Sequence, residues 1–327
     1  MIILKKFIIL IICLFLIGTT TIKSDKISSY IANQIGNNHK IIYETPNEYA
    51  KKEGFLYVQV TDNFIPYSYN DILNIMFTTI NNGWEKFTFY CPTEYEDCLN
   101  DIKKITTDDL TLSHINSYVH PFNSFTSLNT TYYDSGEINL KIKYLYTEKQ
   151  INEINTEIDK ILNTYVKKEN SDYENIKILH DLIINTTKYD ETKNETGTSN
   201  YDSSIAWGVL FNHYATCNGY TDTMAIMLSK MGIKNYKIET TSDDISYRSN
   251  GHVWNAVYID GKWLHLDLTW DDPVSSDGKD YLYHKYFLVN NAELIESDSG
   301  NVSLEEHNFK KHIYLEFNDL INASTSS

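Results

Sequence analysis

The stretch ATCNGYTDTMAIMLSKMGI, residues 215–233, predicts an amphipathic helix that begins at a cysteine. Apolar residues follow the cysteine at helical spacing: Tyr220, Met224, Met227, Leu228 and Met231. Gly232 stands just past the last of them, where helices often end. Cys217 is therefore expected at the helix N-terminus, where unpaired backbone N–H groups and the helix dipole favour a thiolate. The same N–H groups could hold the oxyanion of a tetrahedral intermediate.

The stretch GHVWNAVYIDGKWLHLDLTWDDP, residues 251–273, predicts a β-hairpin. Asp260-Gly261 is a strong signal for a two-residue turn, and such a turn pairs Ile259 with Lys262. One face is then an apolar core face, formed by Val253, Val257, Ile259, Leu264, Leu266 and Leu268. The other face carries His252, Trp254, Ala256, Trp263, His265, Asp267 and Thr269. There Asp267 lies opposite Trp254 and diagonal to His252, and diagonal neighbours roughly 7–8 Å apart can bring their side chains together.

Cys217, His252 and Asp267 are thus placed as a Cys-His-Asp acyl-transfer site requires. Each has an ordinary alternative: a buried small side chain, a polar residue on a strand, and a turn or cap carboxylate. Because three independent placements converge on one arrangement, we interpret them together as catalytic.

The two stretches resemble the transglutaminase-like superfamily of papain-type cysteine enzymes. There the cysteine begins a helix, the histidine opens a strand, and the aspartate lies on the next strand before a T-W-D-D-P-like segment. Three further segments resemble the same family: KILHDLIINTTKYD (177–190) its upstream helix, SSIAWGVLFNHYATC (203–217) its approach to the nucleophile, and KYFLVNNAEL (285–294) its closing strand. The resemblance implies that Cys217 is the nucleophile, His252 the general base and acid, and Asp267 the orienting carboxylate.

Three further residues are candidates for the cleft or the oxyanion site. Trp207 precedes Gly208 at a position that is often aromatic in relatives, and its indole N–H is a donor. Core packing is the alternative for Trp207. Asn218 follows the nucleophile where many relatives carry Glu, Gln or Trp, so the cleft wall is expected to differ. Trp254 lies opposite Asp267 in the predicted register.

The chain has four cysteines: Cys13, Cys91, Cys98 and Cys217. Cys91 and Cys98 are close enough in CPTEYEDC to form a disulfide, which leaves Cys217 as the odd thiol of an exported protein. A metal site that adds His114 or His120 is an alternative, although the spacing matches no standard zinc pattern. Two free structural thiols are another.

The N-terminus predicts export. Lys5 and Lys6 precede the apolar run 7–17 and then small polar residues, the layout of a signal peptide of residues 1–24, with retention as a membrane anchor as the alternative. The net charge of −16 argues against a nucleic-acid partner. We expect a secreted or cell-surface protein that touches the membrane only through this segment.

Residues 25–147 are expected to form a smaller α+β domain, before a catalytic domain over residues 148–327 whose helices pack on an antiparallel sheet. Alternation predicts strands at 55–60, 86–90 and 138–144, and an apolar stripe predicts a helix over 72–80. The first domain carries no motif chemistry. Because both halves have their own start signals, a chain that begins near Tyr146 is expected to fold alone.

The predicted function is cysteine-dependent attack on an amide of a protein or peptide, through a thioester. Water as second reactant gives a protease or amidase, and a lysine amine gives a crosslinking transglutaminase. Hydrolysis is the default, because excluding water needs a closed tunnel. A catalytically silent cell-surface binding module is the third alternative. No phosphate-binding loop, zinc motif or calcium loop is found in the sequence, so neither cofactor nor metal is expected.

Overall fold

The computed structural model describes residues 57–240, 251–274, 281–299 and 306–317. The expected signal peptide, residues 1–24, lies outside the described residues. Within the described ranges, no helix combines the length and the apolar character that crossing a membrane requires.

The described residues combine helices with short strands, and both three-stranded sheets are antiparallel, as is typical of an α+β fold. The helices are α1 (Tyr69–Asn81), α2 (Cys98–Thr107), α3 (Asp109–Ser117), α4 (Glu148–Tyr165), α5 (Asp172–Thr186), α6 (Glu191–Thr196), α7 (Cys217–Lys230), α8 (Leu268–Asp271) and α9 (Asn291–Asp298). The strands are β1 (Lys86–Tyr90), β2 (Phe125–Tyr132), β3 (Glu137–Tyr144), β4 (Lys188–Tyr189), β5 (Tyr214–Ala215), β6 (Asn235–Glu239), β7 (Val253–Ile259) and β8 (Lys262–Leu266).

Two antiparallel sheets form the framework. The first has the strand order β1-β3-β2 and the second β6-β7-β8, while β4 and β5 make a two-residue parallel pair. The α+β class with helices on an antiparallel sheet is therefore confirmed. The predicted strands at 86–90 and 138–144 and the helix over 72–80 are present. The strand expected at 55–60 is wrong for its described part: the backbone N–H of Gln59 donates to Asn74 on α1 and not to a neighbouring strand.

The β7–β8 hairpin has the predicted register. Ile259 pairs with Lys262 and Val257 with Leu264. The turn places Asp260 at φ 51° and Gly261 at φ 80°, the left-handed conformations that a tight two-residue turn demands. A one-residue slip would have moved His252 and Asp267 to opposite faces of the sheet.

The face of this sheet that carries Trp254 and Ala256 is also buried, which alternation alone did not indicate. Both side chains belong to a hydrophobic cluster that includes Phe89, Leu140 and Tyr314. The opposite face, with Val257 and Leu266, packs in a second cluster with residues of α4, α5 and α7. The sheet therefore forms a middle layer between the N-terminal elements and the helices.

The two sides of residue 147 share this core. Lys237 on β6 is buried, and its Nζ donates to Ser124 Oγ at 3.0 Å and to Asp222 Oδ1 on α7 at 3.1 Å. The expectation that a chain beginning near Tyr146 folds alone stays a prediction, and this shared core weighs against it, because the cluster of Tyr236 and Trp254 includes residues that precede Tyr146. The division into 25–147 and 148–327 stays a prediction.

The segment expected as the closing strand differs from its prediction. Val289 makes a single antiparallel bridge to His265, and Asn290 then caps α9 through bonds from the N–H groups of Ala292 and Glu293. A strand gives way to a helix here because Asn290 and Glu293 form a complete capping box.

Candidate active site

Cys217 is the first residue of α7, as predicted, and is partly exposed. Thr216 precedes it in an extended conformation, and its side chain makes no cap bond to the helix. The first-turn N–H groups are therefore not satisfied by a side-chain cap and are available to a negative charge beside the thiol. The Thr216 N–H itself donates to the Ser203 carbonyl oxygen at 2.9 Å.

A close backbone approach fixes the start of α7. The Ser203 carbonyl lies against Gly219, where a Cβ atom would overlap its oxygen. Gly219 therefore allows the segment before the nucleophile to pass directly over the first turn of the helix. Because Ser203 is also the acceptor for Thr216, this contact sets the position of Cys217.

His252 stands immediately before β7 and is 5% exposed. Its Nε2 lies 2.5 Å from Oδ2 of Asp267. The ring is also hydrogen-bonded to the Cys217 side chain, for which Nδ1 is the remaining nitrogen. The structure thus connects all three residues that the sequence singled out.

The charges of His252 and Asp267 stabilise each other. Burial alone would lower the pKa of His252, but the Asp267 carboxylate and the bonds to Asp267 and Cys217 outweigh it and raise that pKa well above its usual value. Burial alone would raise the pKa of Asp267, but the charge and the hydrogen bond of His252 hold it far below its usual range. An imidazolium bonded to a carboxylate is therefore the favoured state at neutral pH.

Asp267 lies just beyond β8, as the N-cap residue of α8, and not on the strand as expected. Its Oδ1 accepts from the N–H groups of Thr269 at 2.8 Å and Trp270 at 3.3 Å. The T-W-D-D segment therefore forms a helical turn that anchors one carboxylate oxygen and leaves the other for His252.

Trp254 holds the His252 ring from one side. The two rings stack, and the Trp254 N–H donates to Nδ1 of His265 at 3.0 Å. This bond and the complete burial of the indole correct the assignment of Trp254 as a cleft or oxyanion residue. It packs under the histidine instead.

Trp207 is also corrected as an oxyanion candidate. Its N–H donates to Oε2 of Glu153 on α4 at 2.8 Å, and its ring contacts Phe211. Asn218 is exposed on the first turn of α7, beside Cys217, and its role as a cleft residue stays a prediction. Asn255, for which the sequence indicated no role, donates to the Thr221 carbonyl at 3.1 Å and so ties β7 to α7.

His307 belongs to the site although the sequence did not indicate it. Its Nε2 lies 2.9 Å from Oδ2 of Asp267, the same oxygen that bonds His252, and its Nδ1 lies 2.8 Å from Oδ1 of Asp298. A lone histidine in a polar segment 40 residues after Asp267 carries no local pattern. Only the tertiary fold brings it to the carboxylate.

Tyr189 is a second residue that pattern reasoning missed. It pairs with Ala215, two residues before the nucleophile, in the short β4–β5 sheet. Burial raises the pKa of Tyr189 well above its usual value, and the charges of Cys217, Glu306 and Asp267 add to the effect. Its phenol therefore remains protonated at neutral pH.

The described residues contain one bonded cysteine pair and two clusters of potential metal ligands. The structure joins Cys91 to Cys98 in a disulfide, which leaves Cys217 free.

Two clusters in the described ranges gather three potential metal ligands each: His180, Asp181 and His284, and His252, Asp267 and His307. The first already surrounds the Lys177 ammonium, whose Nζ lies 2.9 Å from His284 and 2.5 Å from Asp181. In the second, both imidazoles bond one carboxylate oxygen. Hydrogen bonds and an ion pair account for both clusters.

Comparison with known proteins finds a family model that matches the segment containing this site. Residues 159–268 match the sequence model of the transglutaminase-like superfamily, a segment that includes Cys217, His252 and Asp267. The Kyphoscoliosis peptidase of Mus musculus is 23% identical over 151 residues, which are 42% of this chain and 22% of that protein. The Homo sapiens protein of the same name is 24% identical over 155 residues, again 42% and 22% of the two chains.

The chain thus spans about a fifth of the length of these curated relatives. Among solved structures, a crystal structure of a TGase is similar at a TM-score of 0.33 and 16% identity, over 48% of each chain. The match to the family model covers α7, which begins at Cys217, and the β7–β8 hairpin. Over residues 159–268, this chain is similar to the transglutaminase-like superfamily.

Proposed function

We propose that the protein is a cysteine enzyme that attacks an amide carbonyl of a protein or peptide with Cys217. The observation that carries the proposal is the connected series of Cys217, His252 and Asp267 at the start of α7. A buried histidine bonded to a carboxylate on one nitrogen and to a thiol on the other is suited to move a proton between them.

In the proposed first half-reaction, the Cys217 sulfur forms a bond to the carbonyl carbon, and the carbonyl oxygen becomes an oxyanion. The uncapped N–H groups of the first turn of α7 stabilise this charge. Tyr189, whose pKa is raised in part by the charge of Cys217, is a candidate for a second donor. The His252 imidazolium then gives its proton to the leaving amine as the C–N bond breaks. The product is a thioester on Cys217 and a neutral His252.

In the second half-reaction, neutral His252 takes a proton from the incoming nucleophile, which attacks the thioester carbon. Water yields a carboxylic acid, and a lysine amine yields an isopeptide crosslink. In either case the C–S bond breaks, and the thiolate and imidazolium return. We favour hydrolysis, because Cys217 is partly exposed and water therefore reaches it.

We also propose that the protein is exported and acts at the cell surface or wall or outside the cell. The apolar run after Lys5 and Lys6 supports this, and so does the Cys91–Cys98 disulfide, since disulfides persist in oxidising compartments. N-terminal sequencing of protein recovered from the medium tests it: a mature chain that starts near Asp25 is expected, and retention of the whole N-terminus inside the cell contradicts it.

One assay separates the three functional alternatives. The protein is offered a peptide amide and a labelled primary amine together, with Cys217→Ala and, as a control in the exposed hairpin turn, Asp260→Asn as paired variants. Free acid as the main product supports hydrolysis, and label in the peptide supports crosslinking. Whichever product forms must vanish in Cys217→Ala and persist in Asp260→Asn. If the wild-type chain forms neither product above the level of Cys217→Ala, the silent binding module is the better description.

A further inference from the structure

His307 and Asp298 form a second histidine–carboxylate pair behind Asp267. The Nε2 atoms of His252 and His307 both point to Oδ2 of Asp267, at 2.5 Å and 2.9 Å. The other nitrogen of His307 faces Oδ1 of Asp298 at 2.8 Å. His307 and Asp298 therefore extend the series Cys217–His252–Asp267 by two residues, both of which follow α8 in the chain.

The hydrogen-bond geometry sets the charge of His307. A neutral imidazole has one N–H and one lone pair, and could donate to only one of two ionised carboxylates. Both ring nitrogens of His307 lie at hydrogen-bond distance from carboxylate oxygens, so both must carry hydrogen. Its side chain is 1% exposed, so no solvent replaces either partner.

The surroundings of His307 are consistent with an imidazolium at this position. Trp254, Trp270 and Tyr286 place their ring centroids 5.0–5.8 Å from that of His307 and keep water away. The titratable groups around it are Asp267 at α8, Asp298 at α9, His252 before β7, His265 on β8 and Glu306 beside it in sequence. Burial alone would lower the pKa of His307, but the bonds to Asp267 and Asp298 outweigh it and raise that pKa.

We propose that His307, held as an imidazolium by Asp298, is a positioning residue that fixes the Asp267 carboxylate and weakens its hold on the His252 proton. The inference rests on the proposed function. The fixed bond keeps Oδ2 aimed at His252, while Thr269 and Trp270 hold Oδ1. Two cations that share one oxygen also repel, so each makes the other easier to deprotonate.

The repulsion between the His307 and His252 imidazolium rings matters for the proposed catalysis. His252 must keep its proton while the thiolate attacks and then release it to the leaving amine. A buried aspartate alone would hold that proton too tightly, and a general acid works best when its pKa lies near the working pH. His307 supplies a nearby positive charge that brings the pKa of His252 down towards that range.

The test is an NMR titration of the full chain with ¹⁵N-labelled histidine, which follows the ring nitrogens of His252 and His307. Both nitrogens of His307 should show imidazolium shifts at pH 7.5. Asp298→Asn removes the anion that holds the charge, and His307→Gln keeps a donor to Asp267 without the charge. Each variant should raise the pH at which His252 loses its proton by about one unit. His312→Ala, an exposed histidine of the same segment, should leave that pH unchanged.

The two changes lie on different elements, so a folding defect in one leaves the other as a test, and thermal melting identifies which variants are folded. A neutral His307 at pH 7.5 overturns the proposal, and so does a His252 titration that neither folded variant moves. The NMR readout needs no substrate. An enzyme that shows the expected shifts but no Cys217-dependent product would therefore contradict the proposed function and leave the His307 assignment intact.

Discussion

The Trp254 indole stacks on the His252 imidazole, with ring centroids 5.7 Å apart and planes 16° from parallel. Trp254 is itself fixed by the bond from its N–H to His265, which in turn bonds Asn291 at 2.7 Å. The orientation of the His252 ring therefore depends on contacts that run from β7 through β8 to α9. Trp254, which the sequence suggested as a cleft residue, therefore packs beneath the His252 ring.

Cys217 should be the residue that iodoacetamide labels in the native oxidised protein. It is partly exposed at a helix N-terminus, whereas Cys91 and Cys98 are joined in a disulfide. Peptide mapping by mass spectrometry gives the labelled position. Labelling of Cys91 at a similar rate without reductant, or an unmodified Cys217, would contradict the prediction.

Asp267→Asn should keep the fold and lower turnover by about three to four orders of magnitude, as loss of the orienting carboxylate does in serine triads. The asparagine oxygen can still accept from Thr269 and Trp270, so the start of α8 is preserved. Turnover and thermal melting are measured together. Asp260→Asn in the exposed hairpin turn is the matched control and should be neutral. Near-normal turnover in Asp267→Asn would mean that another group orients His252.

Gly219→Ala should destabilise the protein by about 1–3 kcal/mol, the usual cost of forcing a side-chain atom into a packed site. Its methyl group would overlap the backbone carbonyl of Ser203, which cannot rotate away without losing its bond from Thr216. Urea unfolding measures the change in the free energy of unfolding, and the exposed Asn218→Ala serves as the reference. An unchanged midpoint for Gly219→Ala would show that the segment around Ser203 yields freely.

A chain that begins at Tyr146 should be insoluble or lack cooperative unfolding. Deletion of the residues before Tyr146 should uncover one face of the β6-β7-β8 sheet. That face carries Tyr236, Ile238, Trp254 and Ala256. It also removes Ser124, a partner of the buried Lys237 ammonium. Expression in the soluble fraction and a thermal melt decide the question. A soluble truncated chain with a sharp melt and a reactive Cys217 would show that residues 25–147 are an independent domain after all.

Local patterns in the sequence were sufficient for much of the candidate site. Helical spacing after Cys217 and the Asp260-Gly261 turn located the start of α7 and the hairpin register, because both depend on neighbours a few residues apart. That register is enough to place His252 near Asp267. The disulfide of the structure likewise joins two cysteines separated by seven positions.

What failed depended on distant partners. Trp207 could not be assigned from its neighbours, because the acceptor of its N–H is Glu153, 54 positions earlier. The second face of the hairpin looked free because the rings that pack against Trp254, such as His307 and Phe309, come from a distant part of the chain.

By itself, the sequence determined the α+β class, the helix that begins at Cys217 and the pairing of β7 with β8, since hydrophobic period and turn chemistry are properties of short segments. Only the tertiary structure decided that Asp267 bonds two histidines, that Trp254 supports the site, and that residues on both sides of position 147 share one core. Those relationships are contacts between segments far apart in the chain. They depend on which apolar surfaces pack together and which buried charges pair, and no local sequence pattern encodes this.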